Sequence, residues 1–81
     1  MIIKVLGSGC ANCKKLEDLA TKAVGELGIT AEVVKVTDIA EIMGYGVMST
    51  PALVIDEQLK VAGRVPAYED VKRVIQAAVR S

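Results

Sequence analysis

The pattern of the sequence changes from strand to helix within residues 2–27, IIKVLGSGCANCKKLEDLATKAVGEL. The first five residues of this stretch, Ile2–Leu6, are apolar except for one lysine, which is typical of a buried strand. The glycines that follow end the apolar run. From Ala11 onward, apolar residues recur every three or four positions with charged residues between them, which predicts an amphipathic helix. The two cysteines, Cys10 and Cys13, lie where one element gives way to the other.

The rest of the chain predicts three more strands and two more helices. The strands are expected at residues 30–36, 52–55 and 59–62; a short helix is opened by Asp38 and ended by Gly44, and a last helix starts at Pro66. The short turn at 56–58 predicts an antiparallel hairpin. The order βαβαββα indicates an α/β fold in which three helices sandwich a four-stranded mixed sheet. We expect the first and third helices on one face and the second on the other.

Length and charge restrict the classes of function. A chain of 81 residues, 52% of them hydrophobic, predicts one domain, residues 1–81, with a small core. Ten basic and ten acidic residues cancel without any block of like charge. This balance argues against nucleic acid or an anionic membrane as the main partner. No apolar run suits a bilayer span or a signal-peptide core, so we expect a cytoplasmic protein.

The two cysteines are better explained by chemistry than by a structural role. A disulfide between positions two residues apart closes a very short loop and therefore stabilises little. Cys10 falls at the predicted N-terminus of the first helix, where unpaired N–H groups and the helix dipole favour a thiolate. Cys13 follows on the same helical face, near enough to form a disulfide. We predict that Cys10 is the nucleophile that attacks a partner disulfide and that Cys13 is the resolving cysteine.

A bare CxxC motif is also compatible with metal binding. The sequence has no histidine and no third cysteine, so a four-ligand zinc site would need two chains or carboxylates. The main alternative is a metal-binding module of the copper-chaperone kind, whose small α/β domain also carries CxxC after its first strand. Those domains have the order βαββαβ and end in a strand, whereas this chain ends in a predicted helix. They usually carry methionine where this chain has Ser8.

A second motif is Tyr45-Gly46-Val47-Met48-Ser49-Thr50-Pro51-Ala52-Leu53. Its proline stands just before a strand that is predicted to be central, where a residue without an N–H needs a special reason. The motif resembles the thioredoxin pattern Tyr-Gly-Ile-x-Ser-x-Pro-Thr-Leu. From Ile2 to about Val79 the chain resembles the minimal thioredoxin-like proteins called redox-active disulfide proteins. The resemblance implies a thioredoxin-like fold.

The resemblance also implies an activity and a substrate site. It implies a thiol–disulfide oxidoreductase that reduces disulfides of protein or small-molecule partners, without a cofactor or a bound metal. Pro51 would be cis and packed over the dithiol, and the Thr50 backbone would pair with a substrate segment as an added strand. Gly63, after the fourth strand, would let the backbone approach the dithiol. Met48 is a candidate contact for partners, and we expect a monomer.

The chain departs from the best-known members in three places. Its Gly-Cys-Ala-Asn-Cys motif lacks the aromatic residue and the proline of Trp-Cys-Gly-Pro-Cys. Nothing acidic precedes Glu17, so the buried acid that accepts a proton beneath the dithiol of thioredoxins is missing. Residues 63–67, GRVPA, stand where glutaredoxins bind glutathione through a Gly-Gly with acids. We therefore expect an electron donor of the thioredoxin-reductase type.

Overall fold

The structure is a computed structural model that describes residues 1–7 and 11–80. Within these residues the chain forms four strands and three helices, in the predicted order βαβαββα. They are β1 (Ile2–Leu6), α1 (Ala11–Leu27), β2 (Glu32–Val36), α2 (Ile39–Gly44), β3 (Ala52–Ile55), β4 (Gln58–Ala62) and α3 (Tyr68–Arg80). The sheet has the order β2-β1-β3-β4. β1 pairs in parallel with β2, whereas the β1–β3 and β3–β4 pairs are antiparallel, so the predicted mixed sheet is confirmed.

The central strands are buried on both sides, which explains their nearly continuous apolar sequences. All four residues of β3 are buried, and so are three of the five in β1. The parallel pairing of β1 with β2 begins at Ile2 and Glu32. The second strand is therefore shorter than the predicted 30–36 and starts at Glu32.

One face of the sheet is covered by α1 and α3, as the sequence predicts. Leu16, Ala20 and Ala23 form the buried face of α1, and Val71 and Ile75 form that of α3; all five are completely inaccessible to solvent. They pack on the inward side chains of the strands, which are Ile3, Val5, Leu53, Ile55 and Val61. This shared apolar layer fixes α1 relative to the end of β1, and so determines where the start of α1 lies.

The ends of the two long helices differ in how well the sequence predicts them. α1 ends where expected, because Gly28 adopts φ +65° and its N–H donates to the Val24 carbonyl at 3.1 Å. The prediction that the last helix starts at Pro66 is wrong: α3 begins at Tyr68, and the carbonyl of Ala67 accepts the N–H groups of its first turn. Near the end of α3 the apolar side chain of Val79 is 47% exposed.

The opposite face is covered by α2, which is only six residues long. Asp38 caps it as predicted, accepting the Ala40 N–H at 2.8 Å through Oδ1. Of its residues, Ile42 alone is buried, and it packs with Val47 on one part of the sheet. A helix of this length cannot cover the whole face, and it leaves large apolar side chains in contact with water at its outer surface.

Two polar contacts hold elements together at the surface. Lys4 on β1 donates to Tyr45 Oη and to Glu57 Oε1, both at 2.7 Å, and the Tyr45 hydroxyl donates to Glu57 Oε2 at 2.9 Å. The hydrogen bonds from Lys4 and Tyr45 lower the pKa of the Glu57 carboxyl. At the other face, the Tyr68 hydroxyl of α3 donates to Glu26 of α1. Desolvation and this hydrogen bond raise the pKa of Tyr68 to about 12. The hydroxyls of Tyr45 and Tyr68 thus link elements that are distant in the sequence.

In residues 1–7 and 11–80, no helix combines the length and the apolar character that crossing a lipid bilayer requires.

Candidate functional site

Cys13 lies in the first turn of α1 and belongs to the helix face that packs on the sheet. It is 5% exposed and continues the row of buried residues that runs through Leu16 and Ala20. The helical spacing of these residues thus turns Cys13 towards the end of β1 rather than towards solvent. Cys10, the predicted nucleophile, lies outside the described residues, so its role stays a prediction.

The end of β1 and the loop before β3 meet at Cys13. A Cβ atom placed on Gly7 would overlap Cys13 Sγ, and it would lie 3.1 Å from Cys13 Cβ and 3.7 Å from Thr50 Cβ. The structure therefore brings Gly7, Cys13 and Thr50 together, although they are far apart in the sequence. Of these, the sequence analysis singled out Cys13 and Thr50. It interpreted Gly7 only as the end of a strand.

The segment that contains Thr50 is fixed by the antiparallel pairing of β3 with β4. The Thr50–Pro51 peptide bond is cis, as the resemblance implies. Pro51 is buried, and its carbonyl accepts the Gly63 N–H at 2.9 Å. This hydrogen bond continues the ladder beyond the Ala52–Ala62 pair. Thr50 itself is exposed, so its side chain and backbone stand at the surface beside the buried Cys13.

Gly63 lies against this segment from the other side. It adopts φ +78°, and a Cβ on it would lie 3.3 Å from Ser49 Cβ, closer than side chains normally pack. The structure therefore places Gly63 beside Ser49 and Pro51. Sequence reasoning missed Ser49, because a serine in a loop carries no signal of the contact that it makes with a distant glycine.

An apolar groove of about 310 Å³ opens next to Thr50. Its lining comes from α2 and from the segment that leads to Pro51, namely Ile39, Ile42, Met43, Val47, Met48 and Thr50. Three of these side chains are largely exposed: Ile39 at 67%, Met43 at 64% and Met48 at 94%. The sequence analysis singled out Met48 alone. Ile39 and Met43, four residues apart on a short helix, gave a signal that could have indicated an apolar surface.

The interior around Cys13 is apolar. Among the described residues, no polar or charged side chain is buried, and so none of them supplies a buried acid next to Cys13. The described residues also contain no group of three or more histidine, cysteine or acidic side chains that could hold a metal ion.

The observed topology distinguishes between the two folds with which the CxxC motif is compatible, the thioredoxin-like fold and the copper-chaperone fold. The chain ends in α3, a helix that packs on α1, and the order of elements is βαβαββα. The copper-chaperone alternative requires βαββαβ with a terminal strand, so that alternative is wrong for the fold.

The close approach of Gly63 to Ser49 gives a testable prediction. Gly63→Ala forces a side chain into the left-handed region, which costs about 1–2 kcal/mol, and adds the contact with Ser49. Gly46→Ala is a matched control, since Gly46 has the same φ of +78° and nothing within 4 Å of the added Cβ. We expect urea denaturation to show a larger loss of unfolding free energy for Gly63→Ala than for Gly46→Ala. Equal losses would contradict the contact.

Comparison with known proteins identifies the family. A family model described as a thioredoxin domain matches residues 1–76. A thioredoxin of Methanothermobacter thermautotrophicus is 43% identical over 75 residues, which cover 93% of this chain and 97% of that protein. A thioredoxin of Methanocaldococcus jannaschii is 38% identical over 77 residues, which cover 95% of this chain and 88% of that protein. The chain therefore belongs to the thioredoxin family and is a thiol–disulfide oxidoreductase.

Proposed function

We propose that Cys10 and Cys13 are the reactive dithiol of this oxidoreductase, and that they reduce disulfides of protein partners. Cys10 is the nucleophile and Cys13 the resolving cysteine. The observation that supports this proposal best is the position of Cys13: it is 5% exposed in the first turn of α1, and it shares its surroundings with Thr50 of the cis Thr50–Pro51 bond.

The reaction follows from general thiol–disulfide chemistry. The Cys10 thiolate attacks one sulfur of the partner disulfide, a mixed disulfide forms, and the partner's other sulfur leaves as a thiolate that takes up a proton. Cys13 then loses its proton and attacks the Cys10 sulfur, which releases the second partner thiolate. The partner gains two electrons and two protons, and the protein is left with a Cys10–Cys13 disulfide.

The environment of Cys13 suits the second step of this sequence. Cys13 is largely buried, so a partner disulfide has little access to it, and it is kept for the attack on Cys10 once the mixed disulfide has formed. No described acidic side chain is buried near it, and the proton therefore passes to water or to the departing thiolate. The first step needs a different environment. Cys10 directly precedes α1 in the sequence, and the unpaired N–H groups and dipole of a helix N-terminus favour a thiolate.

The partner's backbone is expected to bind at Thr50. Thr50 is exposed beside Cys13, whereas Pro51, which follows it, is buried and held by Gly63. An extended segment of the partner can therefore lie along the exposed residue and pair with its backbone as an added strand. In this arrangement Pro51 supports the segment, and Gly63 keeps its own side of the site free of a side chain.

A protein is a more suitable partner than a small disulfide because the apolar groove adjoins this same residue. Ile39, Met43 and Met48 present aliphatic carbon and polarizable sulfur to solvent. A single apolar side chain of a bound polypeptide would fill much of the groove and cover these three residues. Thr50 lines both the groove and the surroundings of Cys13, so one polypeptide can reach both places.

The remaining expectations form part of the same proposal. We propose that residues 1–81 act as one monomeric domain in the cytoplasm, with a reductase of the thioredoxin-reductase type as the electron donor. Such a donor would present its own dithiol as an extended segment and would use the same surface beside Thr50. Neither nucleic acid nor a membrane is a proposed partner.

Replacement of the resolving cysteine tests the roles of the two sulfurs. Cys13→Ser removes the second attack, so we expect it to accumulate stable mixed disulfides with protein partners such as insulin through Cys10. Non-reducing electrophoresis and mass spectrometry of the adducts provide the measurement. Cys10→Ser is the matched variant and should trap nothing. Trapping by Cys10→Ser instead of Cys13→Ser would reverse the assignment, and trapping by neither would refute it.

Charge introduced in the groove tests the docking of protein partners. We expect Met48→Glu to lower kcat/KM for insulin reduction by about tenfold, equivalent to about 1.4 kcal/mol, because a carboxylate would have to lose its hydration. The reaction with a small aromatic disulfide should be unchanged, since it needs no groove. Met48→Leu should keep activity with both substrates.

Val79→Glu is the control for added charge, because Val79 is an exposed apolar residue on α3 outside the groove. We expect it to leave both reactions unchanged. If Met48→Glu slowed the reduction of insulin and of the small aromatic disulfide equally, the groove would have no part in the choice of substrate.

A further inference from the structure

Gly7 occupies a fixed position at the end of β1. It is buried, and its N–H donates to the Val36 carbonyl at 2.9 Å, which extends the parallel ladder between β1 and β2. Leu6, which precedes it, is completely buried. The backbone at Gly7 is thus held by the sheet on one side and by the core beneath it, and it has little freedom to move away from a neighbour.

The side of Gly7 on which a Cβ would stand is filled by Cys13. The Cβ would overlap Cys13 Sγ, and rotating that sulfur away would not relieve the crowding, because Cys13 Cβ itself would lie only 3.1 Å away. Thr50 Cβ, at 3.7 Å, closes a third side of the same space. A methyl group at position 7 would therefore have to displace the start of α1 or the segment before Pro51.

Backbone conformation does not explain the glycine. Gly28, Gly46 and Gly63 have positive φ values, between 65° and 78°, whereas the φ of Gly7 is outside the left-handed region. This φ does not by itself require glycine. The requirement for glycine at this position therefore comes from the space that Cys13 occupies.

We propose that Gly7 is a positioning residue for the resolving step: by lacking a side chain, it lets the Cys13 sulfur lie at the end of β1, and from this position Cys13 attacks Cys10 in the mixed disulfide. This inference rests on the proposed roles of the two cysteines. The step concerned is the attack of Cys13 on Cys10 in the mixed disulfide. One S–S bond forms within the protein, the bond to the partner breaks, and the partner sulfur leaves as a thiolate.

The proposal separates the two chemical steps. The first attack joins Cys10 to a sulfur from outside the protein, so a shift of the start of α1 by a fraction of an ångström changes its rate little. The second attack depends on the distance between the two protein sulfurs. Misplacement of a reacting atom by about an ångström can cost about a hundredfold in rate, so the second step alone should be sensitive to a side chain at position 7.

Stopped-flow reaction of the reduced protein with less than one equivalent of 5,5′-dithiobis(2-nitrobenzoate) measures both steps. The first attack releases one coloured thiolate, and resolution releases the second. For Gly7→Ala we expect the first phase to stay within about twofold of wild type and the second to slow by about tenfold or more. Gly25→Ala is the control, because Gly25 has nothing within 4 Å of an added Cβ, and both phases should be unchanged.

The outcomes distinguish this proposal from the one on which it rests. Equal slowing of both phases by Gly7→Ala, or no slowing of either, would overturn the positioning role. If Cys10→Ser kept the first phase, or if Cys13→Ser kept the second, the cysteine roles themselves would be wrong.

A further variant covers the case in which Gly7→Ala does not fold. Cys13→Gly removes both the overlapping sulfur and the crowded Cβ, so the Gly7→Ala/Cys13→Gly protein should unfold at nearly the same urea concentration as Cys13→Gly alone. A large loss of stability in this background would mean that Gly7 is required for reasons other than Cys13, and the proposal would fail.

Discussion

The packing of α1 on the central strands is the interaction on which the rest of the site depends. Leu16, Ala20 and Ala23 are completely buried against β1 and β3, and Cys13 continues their row by one turn. The same apolar contact that stabilises the domain therefore also places a sulfur at the end of β1. Since the core determines this position, the site needs no separate structural device to hold Cys13, and its geometry is as rigid as the core.

The second half of the site is positioned by strand pairing rather than by side-chain packing. β3 lies between β1 and β4, so the segment before it, with Pro51 buried and Thr50 exposed, is held at the same edge of the sheet as Cys13. The groove next to it exists for a different reason. α2 is too short to cover its face of the sheet, and Ile39 and Met43 remain exposed beside Met48. A small fold thus keeps an apolar surface next to its reactive site.

Most of the fold could be predicted from the sequence because the spacing of apolar residues indicates which face of a strand or helix is buried. Ile2–Leu6 and Ala52–Ile55 form strands with the predicted bounds, and Gly28 ends α1 as expected. The predictions that failed concern features that depend on contacts between residues distant in the sequence. Residues 30 and 31 do not extend β2, whose pairing with β1 begins at Glu32, and Pro66 precedes α3 by two residues. Gly7 and Ser49 were missed for the same reason: their contacts are with residues that are distant in sequence.

The central claim is that Cys10 and Cys13 act as one two-electron couple, and a redox titration tests it most directly. The protein would be equilibrated in a series of dithiothreitol buffers, quenched with an alkylating agent and weighed by mass spectrometry. The account predicts a single transition from no label to two labels, without a singly labelled species, and its loss in both single-serine variants. Two thiols that label independently, or that stay labelled in oxidising buffers, would contradict it.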